Sequence, residues 1–257
     1  MKTALITGAS MGIGYELAKE FAANKHNLVL VARSVNKLNE IANELTNKYQ
    51  VMVTVIGSDL SEKDAALKVY NEVKTKGIEI DFLVNNAGFG DFGFFKDTDW
   101  TKEEMMINLN ITALTQFCKL YVPDMVKRGR GKILNVASMA AFQPGPVQAV
   151  YFATKAYVLY LSEAIANELE GTGVTVTVLC PNATESNFAN AANATGKGTF
   201  KDKKLPTAQE VAKYGFKAMM ANEVVAIPGF QNYLLAQTSH FVPRKMATKI
   251  MRKLQGV

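Results

Sequence analysis

The stretch Thr3-Ala4-Leu5-Ile6-Thr7-Gly8-Ala9-Ser10-Met11-Gly12-Ile13-Gly14 decides how the rest of the chain is read. It begins as a short apolar run, continues as a turn of small residues, and leads into a helical pattern. Small residues spaced in this way let a backbone turn tightly and approach a pyrophosphate, whose charge meets amides at a helix N-terminus. Strand, glycine turn and helix in that order open a βαβ unit. Gly8, Ser10, Gly12, Ile13 and Gly14 are therefore candidate phosphate-binding residues.

Outward from this turn, short β-branched apolar runs alternate with longer helical patterns, as they do in a parallel sheet with crossover helices. Strands are expected at 3–6, 28–31, 51–56, 82–84, 132–136, 175–179 and 224–227. Helices are expected near 12–24, 35–48, 62–76, 101–128, 151–170 and 207–221, with a last one after Pro243. The strands are apolar almost throughout, which suits strands covered on both faces. The pattern predicts an α/β fold with a single doubly wound Rossmann-type domain over 1–257, about seven parallel strands flanked by helices. Two segments, 89–98 and 182–206, break the alternation after strand ends. Open α/β sheets bind ligands there, so both are expected to wall a substrate site, 182–206 as a lid.

Composition narrows the function. The 257 residues are 48% hydrophobic and 20% charged, with no apolar run near the roughly 20 residues of a spanning helix. The N-terminus has no secretory h-region. Cys118 and Cys180 lie in apolar segments, and His26 and His240 are the two histidines. Neither a disulfide framework nor a metal site is expected, and a cytoplasmic setting fits. The net charge of +6 is concentrated: Lys197, Lys201, Lys203 and Lys204 form one cluster, and Arg244, Lys245, Lys249, Arg252 and Lys253 another. The second lies in a tail, 231–257, without an acidic residue.

The second strand ends Val31-Ala32-Arg33. Sites that hold a ribose 2′-hydroxyl usually place a carboxylate here, whereas an arginine suits a 2′-phosphate. With Ala32 where the acid would stand and Arg33 beside it, NADP(H) is the expected cofactor.

Tyr-x-x-x-Lys occurs three times, at Tyr15/Lys19, Tyr70/Lys74 and Tyr151/Lys155. Each pair can share a helix face. Only Tyr151 opens a helix shortly after a central strand, downstream of Ser138 and a Gly145/Pro146 loop. Carbonyl reduction leaves an oxygen that must be protonated by a positioned acid. A tyrosine serves better if an ammonium favours its phenolate, and a serine hydroxyl can hold the substrate oxygen.

Taken together, Thr7-Gly8-x-x-x-Gly12-x-Gly14, Asp59-Leu60, Asn85-Asn86-Ala87-Gly88, Ser138 and Tyr151-x-x-x-Lys155 resemble, in order and over essentially the whole chain, the short-chain dehydrogenase/reductase family. The resemblance implies an oxidoreductase acting on a small-molecule carbonyl/alcohol pair, with Asn110, Ser138, Tyr151 and Lys155 catalytic. It implies that Asp59 and Leu60 flank adenine, that Asn86, Ala87 and Gly88 line the adenosine ribose side, and that Thr184 contacts the carboxamide. Tyr151 and Lys155 would also touch the cofactor. Asn108 competes with Asn110, whose register in Leu109-Asn110-Ile111-Thr112-Ala113 fits better; its expected role is to hold a water linking Lys155 to solvent. The chain departs from the family's Pro-Gly after the sixth strand with Pro181-Asn182, where a left-handed Asn could preserve the turn.

Phe89, Phe92, Phe94, Phe95, Met139, Phe142, Pro144, Pro146, Val147 and Phe188 are the expected pocket walls, which favours a bulky apolar carbonyl compound. The tail repeats Met246, Ile250 and Leu254 at spacing four among its cations. It reads as a helix docked on the body or on another subunit, and alternatively as a membrane-surface helix. The resemblance implies a homo-oligomer formed through 101–128 and 151–170, whose apolar faces could equally be internal core. A non-catalytic nucleotide sensor on the same fold is the alternative class. A nucleic-acid binder is disfavoured because no binding motif accompanies the basic clusters.

Overall fold

Successive residues of a strand face opposite sides of its sheet, and here both sides are apolar. Leu5, Val29, Val31, Ile133 and Val176 pack on one side; Ala4, Ile6, Leu28, Leu30 and Leu134 pack on the other. Such strands need a helical layer on each face. The computed structural model describes residues 1–185, 192, 205–238 and 241–257. Its strands are β1 (Thr3–Thr7), β2 (Asn27–Ala32), β3 (Val53–Gly57), β4 (Phe82–Asn85), β5 (Gly131–Val136), β6 (Val174–Leu179) and β7 (Val225–Ala226). They form one seven-stranded sheet, ordered β3-β2-β1-β4-β5-β6-β7, in which every pairing is parallel.

Helices α1 (Gly12–Ala23), α2 (Val35–Tyr49) and α7 (Ala208–Met220) cover one face through Phe21, Leu38, Leu45 and Phe216. Helices α3 (Ala65–Thr75), α5 (Leu114–Arg128) and α6 (Ala149–Glu168) cover the other through Val69, Val73, Phe117 and Val158. The strand order reverses between β1 and β4. The crevice beyond their C-terminal ends is where a doubly wound sheet binds its ligand.

Three elements differ from expectation. The third strand starts at Val53 rather than 51, because the amide of Met52 is taken by the Asn27 side chain and pairing with β2 begins at Val53. The helix expected over 101–128 is α4 (Trp100–Ile107), a π-helical turn over Asn108–Ala113, and α5 in continuous succession. A further helix, α8 (Phe230–Thr238), precedes the expected tail helix, α9 (Arg244–Leu254). Phe188, His240 and the lysines at 197, 201, 203 and 204 lie outside the described residues, as does most of the expected lid 182–206. Among the described residues no helix is long and apolar enough to cross a membrane.

Candidate active site

The glycine turn leaves β1 and enters α1 with Gly8 and Gly12 in the left-handed region, at φ +65° and +57°. A Cβ on Gly14 would stand 2.3 Å from the Gly8 carbonyl oxygen, so a side chain there would force the turn open. No side-chain hydrogen bond caps α1, which leaves helix-start amides as donors for an anion. The turn is held from the next strand. Thr7 Oγ1 accepts from the amides of Asn86 and Ala87, each at 3.0 Å, and Asn86 Nδ2 donates to Thr7 O at 2.9 Å and Gly8 O at 3.3 Å. The Asn86 amide thus braces the turn itself. Thr7, which sequence reasoning quoted without a role, is the residue that joins β1 to the end of β4.

At the end of β2, the Arg33 side chain is 73% exposed, and its Nη1 lies 3.8 Å from Asp59 Oδ2. Partial burial alone would raise the Asp59 carboxyl. Bonds from the Ser61 hydroxyl and amide, with Arg33 beside them, outweigh it and hold the group below the usual carboxylate range. Asp59 is therefore an anion that steadies Arg33 at the crevice edge. Leu60, expected beside adenine, is buried in the core against α3 residues. The set of donors fits a phosphorylated dinucleotide: a glycine cradle, uncapped amides and an exposed guanidinium with Ala32 in the acid's place.

The remaining residues converge at the ends of β4 and β5. Ser138 follows β5 and starts a 3-10 turn, Met139–Phe142, where its Oγ accepts from the Ala140 amide at 3.1 Å. Tyr151 and Lys155 lie one turn apart near the start of α6, both buried. Lys155 Nζ donates to the Val136 carbonyl at 2.8 Å and lies 5.9 Å from the Tyr151 ring centre. Burial pushes the Tyr151 phenol up to about 12, and a hydrogen bond with Ser138 partly opposes that. Burial likewise pushes the Lys155 ammonium down to about 8. Lys155 is not among the groups that shift the phenol: burial raises it, and Ser138 is the group that opposes the rise.

Asn110 sits inside the π-helical turn, a feature that recurs at functional sites because it displaces one residue from the helical ladder. Its side chain is buried. Nδ2 donates to Phe89 O and Thr154 Oγ1, each at 3.0 Å, and Oδ1 accepts from the Phe89 amide at 3.2 Å. Both amide hydrogens are occupied, so what the side chain offers a water is Oδ1. A Cβ on Gly88 would lie 3.0 Å from that oxygen and 3.4 Å from Lys155 Nζ, which places Gly88, Asn110 and Lys155 together. Asn108 stands at the start of the same turn and is partly exposed.

The other two Tyr-x-x-x-Lys pairs are elsewhere. Tyr15 Oη bonds Glu44 at 2.7 Å, and Tyr70 Oη bonds Asp124 at 2.9 Å. After β6, Asn182 does not adopt the left-handed backbone by which an asparagine could preserve the turn. Its side chain bonds to both sides of the turn: Oδ1 accepts from the Ala183 amide, and Nδ2 donates to Asn232 Oδ1 in α8. Thr184 is buried, with its hydroxyl bonded to Asn182 O at 2.8 Å.

The walls divide. Phe89 packs near Tyr151, Met139 belongs to the core, and Phe94 and Phe95 are exposed. A small cleft beside Tyr151 is lined by Asp91, Phe95, Glu103, Met106 and Val147 among others. A cavity of about 670 Å³ lies at the opposite, N-terminal end of the strands, around Lys2, Asp81 and Lys132, away from this chemistry. Sequence reasoning missed Met251 of α9, which packs with Tyr151, Phe152, Met106 and Ala140, and Gln255, which donates to Gln148 Oε1 at 3.1 Å. The tail helix therefore covers the site.

A 7beta-hydroxysteroid dehydrogenase of Collinsella aerofaciens is 37% identical over 68% of this chain and 66% of its own length. A very-long-chain 3-oxoacyl-CoA reductase of Anas platyrhynchos is 36% identical over 69% of this chain and 58% of its own. The chain thus spans less than two thirds of either relative. A short-chain dehydrogenase from Sphingobium yanoikuyae, solved in complex with NADPH, superposes with a TM-score of 0.84 at 31% identity, covering 94% of this chain and 95% of that one. The family model for short chain dehydrogenases matches residues 2–197, and the chain belongs to that family.

Proposed function

We propose that the chain is an NADP(H)-dependent oxidoreductase that reduces the carbonyl of a bulky, apolar compound such as a steroid-like ketone or a long-chain oxoacyl compound. The observation that carries this reading is the convergence of Ser138, Tyr151, Lys155 and Asn110 at the strand ends beside the glycine turn. The cradle of Gly8, Ser10, Gly12, Ile13 and Gly14 would hold the pyrophosphate, Arg33 the 2′-phosphate, and Lys155 the nicotinamide ribose. Bound there, the reduced nicotinamide supplies the hydride.

The protein's own groups do the rest. Ser138 Oγ holds the substrate oxygen, and Tyr151 Oη gives it a proton. A phenol held protonated by burial is in the correct state for that donation at neutral pH. Lys155, still largely charged at pH 7, offsets the phenolate left behind. Asn110 fixes the Phe89 loop and α6 relative to each other. The small cleft is lined by Phe95, Met106, Val147 and Tyr151, with the Asp91 carboxylate paired to Lys102, and such a lining suits an apolar substrate. The steroid and long-chain acyl names of the relatives support the substrate class. Association of copies through the outer side of α6, where Tyr157 and Tyr160 are exposed, belongs to the same reading.

The test is oxidation of NADPH and of NADH against a panel of steroid ketones, long-chain ketones and aldehydes, with Tyr151→Phe beside the wild type. Turnover preferring NADPH, and lower by roughly 10²–10⁴-fold in the variant, is expected. NADPH binding without turnover by either protein would favour the sensor alternative.

A further inference from the structure

The tail helix α9 has an inner side and an outer one, and the apolar stripe singled out by its spacing is not the side that docks. Met251 and Gln255 face the body, against Tyr151 and Gln148 respectively. Met246, Ile250 and Leu254, one stripe round, are each about half exposed. By helical geometry Lys249 and Lys253 border this outer stripe on the side away from the body. Phe241, just before the helix, is 86% exposed, and α8, which packs on the same 139–142 turn, exposes Leu234 and Leu235. Single exposed apolar residues need no explanation, but a run of them on adjoining elements marks a contact surface.

We propose that this surface docks on an anionic lipid bilayer and sets the covered active site against the membrane. Charge selects the occupant. Residues 231–257 hold five basic residues and no acidic one. In a contact between identical faces, that segment would meet its own cations, which disfavours a second copy of the chain. A nucleic acid would satisfy the cations but not the apolar stripe. An apolar face rimmed by lysine and arginine matches a bilayer with acidic headgroups, where the side chains enter the acyl boundary and the cations stay at the surface. The same helix touches Tyr151 on its inner side, so docking places the site beside a phase in which bulky apolar molecules are concentrated. The docking itself stands whether or not the proposed reduction does.

The test is sedimentation of the full chain with lipid vesicles, either neutral phosphatidylcholine or the same lipid with about a third phosphatidylserine. Binding to the acidic vesicles and little to the neutral ones is expected. The variant Met246→Ser/Ile250→Ser/Leu254→Ser should bind on the order of 100-fold more weakly. Lys245→Gln/Lys249→Gln/Lys253→Gln should do so by a similar factor, about fivefold per charge. Both variants retain Met251 and Gln255, so melting temperature and NADPH binding should match the wild type. The proposal is overturned if the wild type stays in the supernatant, if it binds both vesicles equally, or if folded variants sediment as it does. It is also overturned if the serine variant loses oligomer mass while the wild type ignores vesicles, since the stripe then joins copies of the chain.

Discussion

Replacing Lys155 with methionine should abolish turnover and alter folding stability in a way that depends on pH. The lysine is 5% exposed; its Nζ bonds the Val136 carbonyl, and no carboxylate is among the groups that shift it. Burial lowers its pKa from 10.5 to about 8. A base whose folded pKa lies below its unfolded value destabilises the fold fully below the folded pKa, and the penalty lifts as pH climbs from about 8 to 10.5. At roughly 1.4 kcal/mol per unit, the penalty is about 3 kcal/mol at pH 7 and below about 1 kcal/mol at pH 10. Methionine removes the charge but leaves the Val136 carbonyl without this donor, costing about 1–3 kcal/mol at either pH. The informative quantity is therefore the change in the variant-minus-wild-type difference, which should fall by about 2–3 kcal/mol between pH 7 and pH 10. Urea unfolding followed by far-UV circular dichroism at both pH values measures it. A difference that stays constant would refute the claim that Lys155 is folded into the protein as a costly buried cation.

Two further outcomes follow from the same geometry. Arg33→Ser should weaken NADPH binding about 10–100-fold and leave NADH binding nearly unchanged, because one charge-assisted contact is lost only with the 2′-phosphate; fluorescence titration with both dinucleotides checks it. Asn135→Leu should destabilise the fold by about 1–3 kcal/mol, since it leaves Asn85 Nδ2 only the weak acceptor Cys118 Sγ and takes from Ser162 Oγ the bond it accepts; a lower urea midpoint at unchanged slope is the expected signature.

Much of this site was legible because its residues sit where local sequence dictates backbone. Gly8 and Gly12 need φ values that other residues resist, so a turn between an apolar run and a helix could be read directly. The strands were legible because burial on both faces leaves no polar alternation. What escaped depends on contacts distant in sequence. The π-helical turn around Asn110 has no composition of its own; its Asn side chain is fixed by Phe89 and Thr154, 21 and 44 residues away. At Asn182 the side chain bonds Asn232, fifty residues on, and the backbone stays out of the left-handed region that residue type allows. In α9 the sequence offers one apolar stripe at spacing four and, beside it, Met251 followed by Gln255. The choice between them lies with the surface they meet, where Gln148 accepts from Gln255 and Tyr151 receives Met251.

The polar groups behind the site explain how one helix can carry buried Tyr151 and Lys155 without slipping. Apolar packing alone tolerates small rotations, because one methyl contact replaces another at little cost. α6 is instead held at two points, eight residues apart. Thr154 accepts from Asn110 in the π-helical turn, and Ser162 accepts from Asn135 in β5. Asn135 in turn accepts from Asn85 of β4, with Cys118 of α5 beside both. Eight residues is about two helical turns, or roughly 12 Å, so the two bonds fix both the rotation and the axial position of α6. Slipping the helix would break them in a dry core, where an unpaired polar group costs most. The reach of the Tyr151 phenol towards Ser138 is thereby set by the π-helical turn and by β5, backed by β4, the strands whose ends carry Ser138 and the glycine-turn brace. Cradle and proton donor share one rigid frame, in which the sheet, through Asn135, and the π-helical turn, through Asn110, together keep them in register.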